Sequence, residues 1–141
     1  MITANQIAWE NSIMTKSIIS TQESALPQGA YSQGVRAGGF LFIAGHTALD
    51  PETQKVVGDS IEEQTERVFK NIKAVLEAAD ASLEDIVKTT VYLTNIDLFS
   101  RFNQTYEKYF PNTKPARATV EAKICGDGAL IEIEAIAYLG N

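Results

Sequence analysis

The chain has 141 residues and a formal net charge of −6, with 45% hydrophobic and 21% charged residues. These values are typical of one globular domain with a hydrophobic core, and the acidic balance argues against a dedicated nucleic-acid or anionic-membrane binder. One cysteine, Cys125, and one histidine, His46, exclude an internal disulfide, a zinc finger and a histidine-pair metalloprotease. No apolar run approaches the length of a membrane-spanning helix.

The first 13 residues differ from the rest of the chain. They contain no Lys or Arg, so they match neither a secretory signal nor an Arg-rich transit peptide. We therefore expect residues 1–13 to be a weakly ordered extension, residues 14–141 to form a single domain, and the protein to be cytoplasmic.

The first half of the domain predicts three strands. Residues 17–22 indicate a short strand, and residues 31–37 and 40–45 flank Gly38 and Gly39, a pair that permits the positive φ of a hairpin turn. A first helix is predicted after Ser60, which forms a capping box with Glu63. Its apolar residues repeat at helical spacing, at positions 61, 68, 69, 72, 75, 76 and 79.

The second half predicts three more strands and one more helix. Ser82 and Asp85 form a weaker capping signal, and Pro111 is expected to end the second helix. The predicted elements are a strand at 87–94, a helix at 97–110, and strands at 118–124 and 129–139 with Gly126 and Gly128 in the turn between them. This order predicts an α+β fold, in which a mixed six-stranded sheet is covered by two helices on one face.

The last strand has two unlike faces. Its odd-numbered positions are all apolar, whereas Glu132 and Glu134 alternate with apolar residues on the other face. A mixed apolar and acidic face favours partial cover by another subunit. The alternative is a solvated face that carries two glutamates, since Glu is seldom fully buried.

Common catalytic motifs are absent from the sequence. There is no P-loop, no dinucleotide-binding glycine motif and no nucleophile elbow. His46 ends a predicted strand but has no partner that the sequence identifies, and Cys125 has no clear activating cation. Arg117 follows a proline at a strand start, where its guanidinium could grip a carboxylate or simply be solvated.

Seven separated blocks of sequence closely resemble the RidA (YjgF) family of reactive-intermediate deaminases. The blocks are 30–33 (AYSQ), 43–46 (IAGH), the helix at 63–79, 87–93 (VKTTVYL), 102–110 (FNQTYEKYF), 114–117 (KPAR) and 130–137 (LIEIEAIA). The resemblance covers residues 14–138 in order. It implies a chorismate-mutase-like fold, assembled as a homotrimer with ligand clefts between subunits.

The resemblance also implies an activity and a set of site residues. The activity is hydrolysis of short-lived enamine and imine intermediates, such as 2-aminoacrylate, to 2-keto acids and ammonia, without a cofactor or a metal. By position, Arg117 would grip the substrate carboxylate and Glu132 would orient the attacking water. Tyr31 would lie at the cleft mouth, and Asn103 would be the helix asparagine of the site.

Two departures from the family pattern affect the expected site. The common Ser-Gly-Gln is Ala44-Gly45-His46 here, so we expect Gly45 and His46 to contact substrate and His46 to influence substrate preference. The frequent cleft cysteine is Thr119, which we assign to the catalytic set because the position is implied to act through its backbone.

Two other functions remain open from the sequence. A regulatory trimer could hold a small carboxylate in the same clefts without turnover, and Arg117 would serve it equally well. An endoribonuclease, a label often attached to the family, is the third hypothesis. The net charge of −6 and the single histidine count against RNA cleavage.

Overall fold

The computed structural model describes residues 1, 3 and 16–140. The predicted extension at 1–13 therefore lies outside the described residues, except for Met1 and Thr3, as do the first residues of the predicted domain. Within the part of the chain that is described, no helix is both long and apolar enough to cross a membrane.

Six strands form one mixed sheet. They are β1 (Lys16–Ile19), β2 (Gly34–Ala37), β3 (Phe40–His46), β4 (Ile86–Leu93), β5 (Ala116–Glu121) and β6 (Ile131–Tyr138). Their order across the sheet is β1-β2-β3-β6-β4-β5. Every neighbouring pair is antiparallel except β4 and β5, which are parallel. The predicted α+β fold with a mixed six-stranded sheet is confirmed.

Two helices cover one face of this sheet. Helix α1 (Ile61–Ala78) begins at Ser60, whose hydroxyl accepts a hydrogen bond from the Glu63 N–H at 3.1 Å. The Glu63 carboxylate accepts from the Asp59 N–H, one residue before the predicted partner. Helix α2 (Phe99–Glu107) is shorter than predicted, because a 3₁₀ turn, Ile96–Leu98, precedes it. It ends three residues before the predicted end.

Several strand bounds also differ from the prediction. The strand predicted at 17–22 ends at Ile19, and the Thr21 N–H instead donates to the Gln33 side chain at 2.7 Å. The first strand of the hairpin starts at Gly34, so Tyr31 lies in the preceding loop. Strand β5 ends at Glu121, three residues before the predicted end.

The hydrophobic core lies between the helices and the sheet. Phe69 of α1, Phe102 of α2 and the odd-numbered residues of β6 are buried there. The Phe69 ring stacks on Tyr109 with centroids 4.2 Å apart, which packs the segment that follows α2 against α1. Burial of such side chains supplies most of the stabilising free energy.

The opposite face of the sheet, called here the outer face, is apolar and open. Phe40, Phe42 and Tyr138 are each more than 40% exposed there, and the Phe40 ring centroid lies 6.4 Å from that of Phe42 and 5.2 Å from that of Tyr138. Glu134 accepts a hydrogen bond from the Tyr92 hydroxyl at 2.9 Å on the same face. The mixed apolar and acidic face predicted for the last strand is thus present.

Candidate functional site

A cleft of about 1020 Å³ gathers four of the predicted site residues. Tyr31, Gly45, His46 and Glu132 all line it. The other lining residues come from β3 itself, the loop before β2, the loop after β3 and the loop before β6: Ala25, Leu26, Gln28, Ala44, Thr47, Leu49, Gln54, Lys55, Val56, Cys125, Gly126 and Asp127. Three loops therefore surround a floor that is built from β3 and β6.

Glu132 occupies this floor because Gly45 leaves room for it. A Cβ atom at Gly45 would lie 2.9 Å from Glu132 Cδ, closer than real Cβ atoms approach, and 3.0 Å from Oε2. The absent side chain thus lets the carboxylate lie across the end of β3. Burial, followed by the charge of Glu134, raises the pKa of the Glu132 carboxyl above its usual value.

His46 ends β3 in register with Ile133 and is almost completely buried, at 6% exposure. Its Nδ1 lies 2.7 Å from the Ala44 carbonyl oxygen. Since a carbonyl can only accept, Nδ1 carries the hydrogen and the neutral ring leaves Nε2 as an acceptor. Burial lowers the pKa of His46, although the bond to Ala44 opposes this shift. The ring is therefore neutral at ordinary pH.

Tyr31 stands at the rim of the cleft. Its ring is about half exposed, and its hydroxyl accepts a hydrogen bond from the Gln28 N–H at 2.9 Å. The hydroxyl proton is not used in that bond, so it remains available to a ligand.

Arg117 lies elsewhere, on the helix-covered side of edge strand β5. Its guanidinium carbon is 4.6 Å from the centroid of the Tyr106 ring and within 5.6 Å of the Phe99 and Phe102 centroids. These rings hold the cation by cation–π attraction. No carboxylate among the described residues forms an ion pair with Arg117. The ion pair found among those residues joins Arg101 and Glu62.

Thr119 and Asn103 lie near Arg117 in the fold. Thr119 follows Arg117 by two residues in β5 and shares its face, and its Oγ1 is buried with no hydrogen-bond partner among the described residues. Asn103 is on α2, one turn from both Phe99 and Tyr106, whose rings contact the guanidinium.

The predicted site residues thus form two groups that one chain does not bring together. Glu132 pairs in register with Tyr92 on β4, whereas Arg117 pairs with Thr89, whose side chain points to the core. Because side chains alternate along a strand, Glu132 and Arg117 point to opposite faces of the sheet. One group contains Tyr31, Gly45, His46 and Glu132, and the other contains Asn103, Arg117 and Thr119.

The sequence matches a known family model over most of its length. The model described as "Endoribonuclease L-PSP" matches residues 21–139. A "RutC family protein" of Pyrococcus abyssi is 49% identical over 125 residues, which are 89% of this chain and 98% of that protein. "Reactive Intermediate Deaminase A, chloroplastic" of Arabidopsis thaliana is 41% identical over 128 residues, which are 91% of this chain and 68% of that protein.

A solved structure shows the same fold. The E. coli protein TdcF with bound serine has a TM-score of 0.82 and 32% sequence identity, covering 88% of this chain and 99% of that chain. The chain belongs to the RidA (YjgF) family. This family includes reactive intermediate deaminases, as the Arabidopsis relative shows.

Two buried glutamines in this RidA-family chain position the cleft walls, and the sequence did not indicate either role. The Gln33 side chain donates to the Ala25 carbonyl at 2.8 Å and accepts from the Thr21 N–H, which holds one wall.

Gln64 of α1 donates to the Gly58 and Gly128 carbonyls and accepts from the Leu130 N–H. A polar residue within the apolar stripe of α1 is the signal that could have identified Gln64.

The described part of this RidA-family chain contains no group of three or more His, Cys, Asp or Glu residues that could hold a metal ion. Among the predicted site residues, Glu132, His46 and Tyr31 are those whose side chains offer polar groups to the cleft.

Proposed function

We propose that the chain hydrolyses enamine and imine intermediates of the 2-iminobutanoate and 2-iminopropanoate type, including tautomers of 2-aminoacrylate, to 2-keto acids and ammonia. The observation that carries this proposal is Arg117. Its guanidinium is held on three aromatic rings and has no carboxylate partner among the described residues. Such a cation is available to bind the carboxylate of a small substrate through two hydrogen bonds.

The proposal places the reaction between subunits of a homotrimer. Arg117 and Glu132 point to opposite sheet faces in one chain, so a substrate that contacts both needs residues from two chains. The exposed rings of Phe40, Phe42 and Tyr138 on the outer face supply apolar surface of the kind that subunits bury. Tyr31 and Asn103 would then contribute to the walls around the ligand.

The comparisons support a small carboxylate as the ligand. One relative is named a reactive intermediate deaminase, and a structural neighbour of 32% identity holds serine, a small amino acid with a carboxylate. The proposed substrates share that carboxylate and carry a C=N bond next to it.

The proposed reaction needs little from the protein, because a protonated imine is already electrophilic. Glu132 accepts a proton from water as the water oxygen bonds to the imine carbon and the C=N electron pair moves to nitrogen. The resulting amine takes that proton from Glu132, the C–N bond breaks, and the hydroxyl proton leaves with ammonia as ammonium. The 2-keto acid remains, with Thr119 helping to hold it through its backbone. The proposal involves no cofactor.

The deciding experiment generates 2-aminoacrylate in the assay with a PLP-dependent lyase and measures ammonia and keto-acid release. Faster release with the protein than without it is expected. A protein that binds pyruvate but leaves the release rate unchanged would instead be the carboxylate-binding regulator considered from the sequence. Cleavage of RNA by the pure protein, abolished by Glu132→Gln, would favour the ribonuclease hypothesis.

A further inference from the structure

The strongest unexplained feature of the cleft is the fixed orientation of His46. The imidazole is buried, and its Nδ1–H is committed to the Ala44 carbonyl at 2.7 Å. Nε2 has no hydrogen-bond partner among the described residues. It is not among the unpaired side-chain atoms there that are completely buried, so part of its surface is exposed. Since His46 lines the cleft, Nε2 is the part of the ring with which a ligand can form a hydrogen bond.

The two polar groups on the cleft floor are therefore both acceptors. Glu132 offers carboxylate oxygens, and His46 offers a lone pair that cannot become a donor unless the ring is protonated. A protonated imine carries two N–H donors on its nitrogen, whereas the 2-keto acid product carries an oxygen acceptor in the same place. Substrate and product thus differ at the one atom where an acceptor would distinguish them.

We infer that Nε2 of His46 accepts a hydrogen bond from the nitrogen of the imine substrate and so makes the cleft prefer the imine over the keto acid. This inference rests on the proposed function for the identity of the substrate. When the keto oxygen of the product lies against Nε2, two acceptors face each other and neither forms a hydrogen bond. This lowers the binding free energy of the product, so Nε2 also promotes product release. His46 is in this sense a specificity-determining residue.

Several other titratable groups face the same cleft and must be separated from His46. Glu132 is on β6, Tyr31 is before β2 and Lys55 is in the loop after β3. Cys125 and Asp127 are in the loop before β6. Protonation of Glu132 would also create a donor toward a keto oxygen, so a pH effect alone does not identify His46.

The test compares two stable ligands of the full-length protein by calorimetry between pH 5 and pH 8. Pyruvate presents an acceptor and serine presents an ammonium donor. In the parent protein we expect serine to bind more tightly relative to pyruvate at high pH, and the ratio to fall as the imidazole becomes protonated. Because burial lowers the His46 pKa, the fall should occur below the usual histidine range.

Two substitutions change Nε2 in different ways. In His46→Gln the amide can turn its NH₂ toward pyruvate, so pyruvate should bind about tenfold more tightly. The fall in the ratio of serine affinity to pyruvate affinity at low pH, called here the histidine step, should disappear. In His46→Asn the side chain can still donate to the Ala44 carbonyl but has no atom at the Nε2 position, so serine should bind about tenfold more weakly. The second variant preserves the test if the first does not fold.

Asp127→Asn is the matched control, because it removes a charge from the same cleft wall and should keep the step. Glu132→Gln should also keep it, since only the carboxyl titration is removed. An unchanged ligand ratio and an unchanged pH course in both His46 variants would overturn the inference. Absence of ammonia release by the parent protein, with the ligand ratio behaving as expected, would reject the proposed function but leave the role of His46 in ligand recognition.

Discussion

At the residue scale, the structure separates Arg117, the residue proposed to bind the substrate carboxylate, from Glu132, the residue proposed to take a proton from water. Arg117 is surrounded by the rings of Phe99, Phe102 and Tyr106, and burial raises the pKa of the Tyr106 hydroxyl, so this tyrosine stays neutral beside the cation. Glu132 lies on the other face of the sheet, and both Glu132 and His46 line the cleft. Each group can therefore be tested without disturbing the other.

Arg117→Ala should abolish carboxylate binding in a protein that remains folded. Charge-assisted hydrogen bonds contribute about 1.5–3 kcal/mol each, so loss of a two-bond grip should reduce kcat/KM about a hundredfold or more. Steady-state kinetics and pyruvate calorimetry measure this effect. Arg101→Ala, which removes a surface ion pair with Glu62, is the control and should leave both values near those of the parent. Near-normal turnover in folded Arg117→Ala would remove the proposed role.

Glu132→Gln should lower kcat while affinity for pyruvate at neutral pH stays nearly unchanged. Glutamine preserves the shape of the side chain but cannot take a proton from water. The pH profile provides a second test. Because the pKa of Glu132 is raised, the carboxylate needed for catalysis should be lost, as pH falls, at a pH above the usual carboxyl value of 4.5. That acidic limb of the kcat profile should be absent from any residual activity of the variant.

Glu134 provides the control for Glu132, since it lies two residues along β6 on the same face and outside the cleft. It accepts a hydrogen bond from the Tyr92 hydroxyl, so Glu134→Gln should have a smaller effect on kcat. If Glu134→Gln were the more damaging change, the assignment of the water-orienting residue would be wrong.

Gly45→Ala should impair turnover through Glu132. The added methyl would lie 2.9 Å from Glu132 Cδ, so the carboxylate would have to move out of its place on the cleft floor. We expect kcat to fall at least tenfold with a small change in thermal stability, because the carboxylate can swing into the open cleft. Gly38→Asn, in the hairpin turn at positive φ and with no atoms near its Cβ direction, is the control. Full activity in Gly45→Ala would show that the carboxylate position is not critical.

At the element scale, side-chain amides rather than regular secondary structure hold the cleft walls. Gln64 connects α1 to the carbonyls of Gly58 and Gly128 and to the Leu130 N–H, each at 3.0 Å or less. It is 1% exposed, so water cannot readily replace these bonds.

Gln64→Ala should therefore destabilise the fold by about 1–3 kcal/mol, because it leaves buried backbone groups without partners. Thermal or urea unfolding measures the change. Gln104→Ala, at an exposed position of α2, is the matched control and should shift stability by about 0.5 kcal/mol or less. Equal effects of the two substitutions would contradict the anchoring role of Gln64.

The elements themselves were predictable where local signals were strong. The capping serine at 60 and the apolar spacing after it correctly predicted α1, and alternation correctly predicted the two faces of β6. The ends of β1 and α2 were not predictable. They depend on the tertiary contact of Thr21 with Gln33 and on a 3₁₀ turn at Ile96–Leu98, whose start is capped by the Asn95 side chain.

At the scale of the whole molecule, the apolar outer face is the surface that the proposed trimer would bury. Phe40, Phe42 and Tyr138 expose apolar surface on a sheet whose other face is filled by helices. Light scattering should give three chains per particle. Phe42→Glu should dissociate the assembly without unfolding the chain, since Phe42 is already 46% exposed, and it should abolish turnover. A parent protein that is monomeric at assay concentration would exclude the shared site.

The sequence suggested a set of site residues but not their separation across the sheet. The roles of Arg117 and Glu132 came from the family resemblance, which places residues along the chain and not across the sheet. Their division follows from the order β6-β4-β5 and from side-chain alternation, and both need the strand register. The fixed tautomer of His46 likewise depends on a contact with Ala44 within a bulged strand, which no residue pattern indicates.

The bond from the Leu130 N–H to the Gln64 side chain has a consequence for native-state hydrogen exchange. Most protected amides are bonded to backbone carbonyls and exchange only when a helix or a strand pair opens. The Leu130 amide is bonded to a side chain of α1 at 2.8 Å, just before β6 begins. Its exchange rate therefore reports how often the loop before β6 separates from α1, and it should slow if ligand binding holds that wall of the cleft in place.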